Sequence, residues 1–228
     1  MKKCFLLAAL IVCMLPVVSH SYSVVFDTGT TYNTQALTGF ATTGAMMDGM
    51  SVTAYFVGGG SETLAWADTG ASSGGVSGTG WTLSQSGDTF SGDNWTLSAA
   101  SALSRVYINA GPGDTVFDIA SNGTTDFNAM TDNGTPGSAR GLNFATPYGG
   151  VLTAYYRNSV GVGGNPIVGD LFLVLDLQFS SFSGSMIFSA DTDNLLYAGD
   201  IVPTPEPTTM LLLGFGLIGL AGARRFKK

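Results

Sequence analysis

Between Val24 and Asp200 the chain never sustains a helical period, and this limits its fold more than any other feature. Short runs rich in Val, Thr, Tyr, Phe and Trp are separated by clusters of Gly, Ser, Asn and Asp. Branched and aromatic side chains suit a pleated surface, while Gly and Asn supply the positive φ of tight turns. Strands are predicted at 51–57, 62–68, 81–85, 94–99, 104–110, 115–120, 151–160, 171–179 and 185–190. Several alternate apolar and polar residues, the period of a half-buried strand. LFLVLDLQF (171–179) opens almost uniformly apolar and reads as a central strand. WTLS occurs at 81–84 and again at 95–98, which neighbouring strands of one sheet explain; two copies do not make a repeat array. The fold class read from this pattern is all-β, an antiparallel β-sandwich of jelly-roll type, with a closed up-and-down barrel as runner-up. An outer-membrane barrel fits less well, because the strands lack aromatic girdles and even spacing.

The two ends differ from the middle. Lys2 and Lys3 precede an apolar run of 12 residues, Cys4–Leu15, which Pro16 breaks. Ser19 and Ser21 then stand at the −3 and −1 positions of a signal-peptidase site. This is the pattern of a secretory leader, cleaved after Ser21. Residues 1–21 are therefore assigned to the signal peptide, 22–202 to the β-rich domain and 203–228 to a C-terminal segment. Signal peptidase is an expected processing partner.

Removing the leader also removes Cys4, Cys13 and His20, the only cysteines and histidine. No Ser-His-Asp or Cys-His arrangement can then form, and zinc sites of the usual N/S type are excluded. Lysine is absent between Lys3 and Lys227, which removes lysine-based nucleophiles. Across 22–202, Arg105, Arg140 and Arg157 face fifteen carboxylates, a formal balance of −12. Such a surface repels a phosphate backbone, so nucleic acid is not an expected partner. Paired carboxylates of the glycosidase kind remain open, but Glu62 is the only glutamate of the domain and a pair would need aspartates. The chain is expected not to be an enzyme.

Asp191, Asp193 and Asn194, in ADTDN, offer oxygen ligands of the type calcium takes. Asp88, Asp93 and Asn94 offer a similar set, although neither has the closing glutamate of an EF-hand loop. The plain alternative is a polar turn whose Asx side chains bond their own backbone. No other cofactor is expected. Trp66, Trp81 and Trp95, with several tyrosines, are either a sugar-stacking platform or core packing, and their strand positions favour the core.

At the C-terminus, Met210–Ala223 is a stretch of 14 uncharged residues followed by Arg224-Arg225-Phe226-Lys227-Lys228. As a helix it covers roughly 21 Å, short of the ~30 Å hydrocarbon core. The basic end fits the cytoplasmic side of a membrane. Pro205-Glu206-Pro207, a short Gly/Leu-rich span and Arg224-Arg225, in this order at the end of a chain with a leader, resemble the PEP-CTERM sorting signal. The resemblance implies that Pro205, Glu206 and Pro207 are the recognition motif and Arg224 and Arg225 the basic stop. It implies one transmembrane helix, processing by an exosortase, and a precursor held at the inner membrane before it reaches the cell surface or extracellular matrix. Proteins of this kind resemble surface components of bacteria that make exopolysaccharide. The expected role is therefore structural or adhesive in a biofilm, with carbohydrate binding as the alternative and a carboxylate-dependent glycosidase behind it. Residues 169–194 are also similar to a strand pair near the end of some such ectodomains, a likeness that brings no activity.

Overall fold

The computed structural model describes residues 21–27, 29–38, 42–89, 95–119, 143–144, 149–164 and 171–204, with Leu212, Phe215 and Leu217 in the tail. The leader up to residue 20 and most of the predicted tail helix lie outside the described residues. In chain order the strands are β1 (Ser21–Asp27), β2 (Tyr32–Thr34), β3 (Ser51–Phe56), β4 (Ser61–Ala65), β5 (Ala67–Gly70), β6 (Ser73–Gly78) and β7 (Trp81–Ser86). They continue with β8 (Trp95–Asn109), β9 (Thr115–Asp118), β10 (Asn143–Phe144), β11 (Val151–Val162), β12 (Leu171–Ser189), β13 (Asp191–Asn194) and β14 (Val202–Pro203). The fold is all-β, and hydrogen bonds join the 14 strands into one sheet. That sheet is mixed rather than wholly antiparallel, because β1 and β2 both run parallel to β11. Most of the domain separates each of them from β11, so no hairpin turn forces the antiparallel sense.

β8 and β12 organise the rest. They lie antiparallel along almost their whole length, with register shifts between Gln178 and Gly184, where Gly184 takes φ +100°. Two extra residues on β12 and then two on β8 bend the pair there, and glycine is the residue that accepts this φ without strain. The bend lets each long strand serve different neighbours along one edge. β8 pairs with β7 over Trp95–Ala99 and with β3 over Leu103–Asn109. β12 pairs with β11 over Leu171–Phe179 and with β10 at Phe188 and Ser189. The segments predicted separately at 171–179 and 185–190 are thus one bent strand, as are those at 94–99 and 104–110. The two WTLS copies do fall on neighbouring strands, with Leu83 opposite Leu97.

One predicted strand divides, and one predicted loop is a strand. The segment 62–68 breaks at Trp66 into β4 and β5. The glycine-rich stretch read as a turn forms β6 between β5 and β7. Its glycines answer to close packing: a Cβ on Gly74 would fall on the Gly44 carbonyl and the Trp66 indole, and one on Gly75 would lie 2.7 Å from the Leu83 carbonyl oxygen. Glycine in a strand marks such close approach.

The main core gathers Val76 and Leu83 of β6 and β7, Trp95 and Val106 of β8, Ala154 and Tyr156 of β11, and Leu175 and Leu177 of β12. A smaller core collects Val116, Val160, Leu171, Leu173, Val174 and Leu195. Asn158 has φ +62° between Tyr156, which belongs to the main core, and Val160, which belongs to the smaller one. Two residues that would share a face of a regular strand therefore point into different cores. Asparagine is among the side chains that tolerate this left-handed conformation.

β12 is buried at every position from Leu171 to Leu177, and one of those residues is Asp176. Its carboxylate accepts from Arg105 Nε at 2.6 Å and Nη2 at 3.0 Å, from Arg157 Nε at 3.0 Å and from Gln178 Nε2 at 3.0 Å. Arg157 Nη1 continues to Asp27 on β1 at 2.6 Å. Burial works against the charge on Arg157, but the hydrogen bonds and charges of Asp176 and Asp27 outweigh it and raise its pKa. The guanidiniums lie over the rings of Tyr55, Tyr107 and Tyr155 at 5.0, 4.9 and 4.3 Å. One network thus ties β1, β3, β8, β11 and β12 on the face opposite the main core. Replacing Asp176 by Asn leaves two guanidiniums short of their anion. The expected loss is about 2–4 kcal/mol, below the ~3–5 kcal/mol of a fully buried pair, because the two arginine side chains are 32% and 25% exposed. A lowered urea midpoint at unchanged slope would show it; an unchanged midpoint would refute it.

Candidate functional site

The predicted sorting residues Pro205, Glu206, Pro207, Arg224 and Arg225 lie outside the described residues. The structure does show what precedes them. Residues 194–204 run antiparallel to 31–38 as a strap. Thr38 N–H bonds the Asn194 carbonyl at 2.8 Å, Leu37 bridges Leu195, and Leu196 N–H bonds the Ala36 carbonyl at 2.9 Å. Further along, the Asp200 carboxylate accepts from Thr34 Oγ1 at 2.6 Å and from Gln35 N–H at 2.8 Å. β14 then pairs with β2, Val202 opposite Asn33 and Pro203 opposite Tyr32, and Thr204 N–H bonds the Thr31 carbonyl at 2.7 Å. Proline is tolerated here because position 203 falls between the bonded pairs of the ladder, where no N–H is required. A cleft of about 120 Å³, lined by Thr31, Tyr32, Asn33, Gly161, Gly164 and Thr204, opens beside this exit. In the tail, Leu212, Phe215 and Leu217 are helical, with 73%, 62% and 62% of their surface exposed. No helix of the described residues is long and apolar enough to cross a membrane.

ADTDN is a strand, not a turn. In β13, Asp191 lies opposite Asp118, Asp193 opposite Val116 and Asn194 opposite Thr115. Alternation places Asp191 and Asp193 on one side and Asn194 on the other. The Asn194 amide is committed: Nδ2 donates to the Met46 carbonyl at 3.0 Å and to Thr115 Oγ1 at 3.1 Å, and Oδ1 accepts from Thr42 at 2.9 Å. Asp191 Oδ1 accepts from Thr89 Oγ1 at 3.1 Å and from Thr192 N–H at 2.9 Å. Asp118, which the sequence offers only as part of a strand, becomes the neighbour of Asp191 through a pairing no local pattern announces. Burial first, and then the charges of Asp191 and Asp118, push the Tyr156 phenol far above its ordinary range. Among the described residues no group of three or more His, Cys, Asp and Glu is placed to hold a metal ion. Of the second calcium set, Asp93 and Asn94 lie outside the described residues.

The tryptophans are core. Trp66, Trp81 and Trp95 are 1%, 2% and 0% exposed, so a platform built on them is excluded. Trp66 and Trp95 meet at 5.4 Å between ring centroids. Each indole N–H has an acceptor, as buried Trp requires: the Gly44 carbonyl at 2.8 Å, the Ala190 carbonyl at 2.9 Å and, for Trp81, Glu62 Oε2 at 2.7 Å. Glu62 also accepts from Thr79 N–H at 2.8 Å. These bonds, Thr79 N–H foremost and Trp81 next, hold the Glu62 carboxyl below its ordinary 4.5.

Residues 203–225 match the PEP-CTERM protein-sorting motif. No curated protein and no solved structure matches the chain. The match marks the chain as exported and targeted to an exosortase. It begins at Pro203, inside β14, so the address starts where the folded domain ends.

Glu62 supplies a pH test. A depressed carboxyl pKa stabilises the fold above the ordinary value, and that contribution disappears as pH falls through the folded-state value. Glu62→Gln should therefore unfold more easily than the parent at neutral pH, with the two midpoints converging below the folded-state value. A gap that stayed constant down to acid pH would show that the Glu62 charge contributes nothing.

Proposed function

We propose that the protein is an exported, exosortase-processed surface component whose β domain acts as a structural or adhesive part of the extracellular matrix. The observation that carries this is the sorting motif at 203–225, which begins within β14, the last strand among the described residues. The other end agrees. Cleavage after Ser21 would leave nearly all of β1 (Ser21–Asp27) in place, so removing the leader does not take a strand from the sheet. The tail is then a temporary membrane hold. Its exposed Leu212, Phe215 and Leu217 suit lipid rather than water, and its length is short for a permanent span. The domain is a sandwich on this reading, in which the β6–β7 and β1–β11 arms, both contributors to the main core, would face each other across it.

A polysaccharide-binding role is the second reading, moved from the buried tryptophans to Tyr55, Tyr107 and Tyr155. These half-buried tyrosines stand on the outward face beside Arg105 and Arg157. Binding on a glycan array that Tyr155→Ala abolishes would support it, and an array without signal would remove it.

Intact mass of the protein recovered from cells tests the principal reading. The expected mature chain lacks Leu211–Lys228, and Glu206→Ala should leave the full tail in the membrane fraction. Release of that variant at the parent's rate would contradict the role given to Glu206.

A further inference from the structure

Proline recurs at 203, 205 and 207. In an extended chain the amides of alternate residues point to the same edge, and proline has none to offer. From Val202 to Thr208, the backbone donors are therefore those of residues 202, 204, 206 and 208, all on one edge of an extended strand. The opposite edge has no donor. In the folded protein that single donor edge is already in use: Thr204 N–H bonds the Thr31 carbonyl at 2.7 Å, and Val202 opposes Asn33 two residues away in the same ladder. An enzyme that adds this peptide to a strand of its own and bonds its N–H groups has only that edge to use, since the other edge offers carbonyl acceptors alone. It must compete with β2.

We propose that β14 is a strand shared between the folded domain and the processing enzyme, so that tail removal is gated by peeling residues 202–204 away from β2. This rests on the exosortase reading above. The strap is built to open there and to stop. Val202 is 54% exposed and Pro203 and Thr204 are also exposed, so lifting them uncovers little apolar surface. Immediately upstream the Asp200 carboxylate is tied to Thr34 and Gln35, and Leu195 is buried in the smaller core. Ile201 packs against that smaller core, so peeling halts there. It frees residues 202–204, which add roughly 10 Å of reach at about 3.3 Å per residue. In the closed state only residues 205–209, at most about 18 Å of extended chain, separate the domain from the first residue of the apolar span. Peeled, residues 202–204 give the motif free flanking strand on its N-terminal side.

The mature chain has no cysteine, so the gate can be locked cleanly. Val202 and Asn33 are register partners of the hydrogen-bonded kind, about 5.5 Å apart between Cα atoms, within the range a disulfide spans. The full chain carrying Asn33→Cys and Val202→Cys is followed by pulse labelling and intact mass, in cells that process the parent. The oxidised double variant should keep its tail at least about tenfold longer, equivalent to about 1.4 kcal/mol of added opening cost. Each single cysteine variant should behave as the parent. A four-residue Gly-Ser insertion between Thr204 and Pro205 should restore processing of the locked chain, because the motif then has free flanking strand of its own. A locked chain processed at the parent's rate, or one that the insertion does not rescue, would overturn the gate. A parent chain that keeps its tail would instead overturn the exosortase reading on which the gate stands.

Discussion

Asp176 lies in the middle of the most buried strand and is held there by arginines from both neighbours. Arg105 comes from β8 and Arg157 from β11, in a domain that has very few cations to spend. A buried ion pair is weak evidence of net stability, since desolvation offsets much of the attraction. Its effect on register is a different matter. A slip of one residue along β12 would turn the carboxylate into the aromatic core and bring an apolar side chain out beneath the guanidiniums. The clamp therefore selects one alignment of β8, β11 and β12. All the other strands attach directly or indirectly to these three.

From that alignment the core follows. Trp95 projects from β8 between Trp66, Phe117 and Phe188, with centroid distances of 5.4, 6.3 and 5.8 Å. Burying so large a ring brings a polar N–H with it, and the Ala190 carbonyl accepts it. Trp66 makes the same demand and meets it with the Gly44 carbonyl, which draws backbone so close that Gly74 opposite can carry no side chain. The glycines of β6 are thus a consequence of where an indole sits. Aromatic contacts of this kind hold the domain together without covalent cross-links, since no cysteine follows Cys13.

The junction joins stability to sorting. The strap 194–204 closes the smaller core through Leu195 and Ile201 and then gives way to the sorting motif without an intervening linker. Residues at this boundary serve the fold on one side and the address on the other. Thr204 is the clearest case: its N–H bonds the Thr31 carbonyl of the folded domain, and its position belongs to the matched motif.

Much could be read from the sequence where the cause is local. The sorting signal, the β-rich class, the central character of 171–179 and the core placement of the tryptophans rest on composition, short spacing and period-two alternation. Those signals lie within a few residues of one another. The tertiary structure alone decided what depends on partners far apart in the chain. It set β1 and β2 parallel to β11, fused four predicted strands into two bent ones, placed Asp118 beside Asp191, and brought Asp27, Arg105 and Arg157 to Asp176. It also revealed that Gly74 is a packing residue and that ADTDN is a strand, because a turn-like composition does not reveal which backbone will approach it. Long-range pairing follows from which surfaces can be buried together and in what register, and no window of neighbouring residues contains that information.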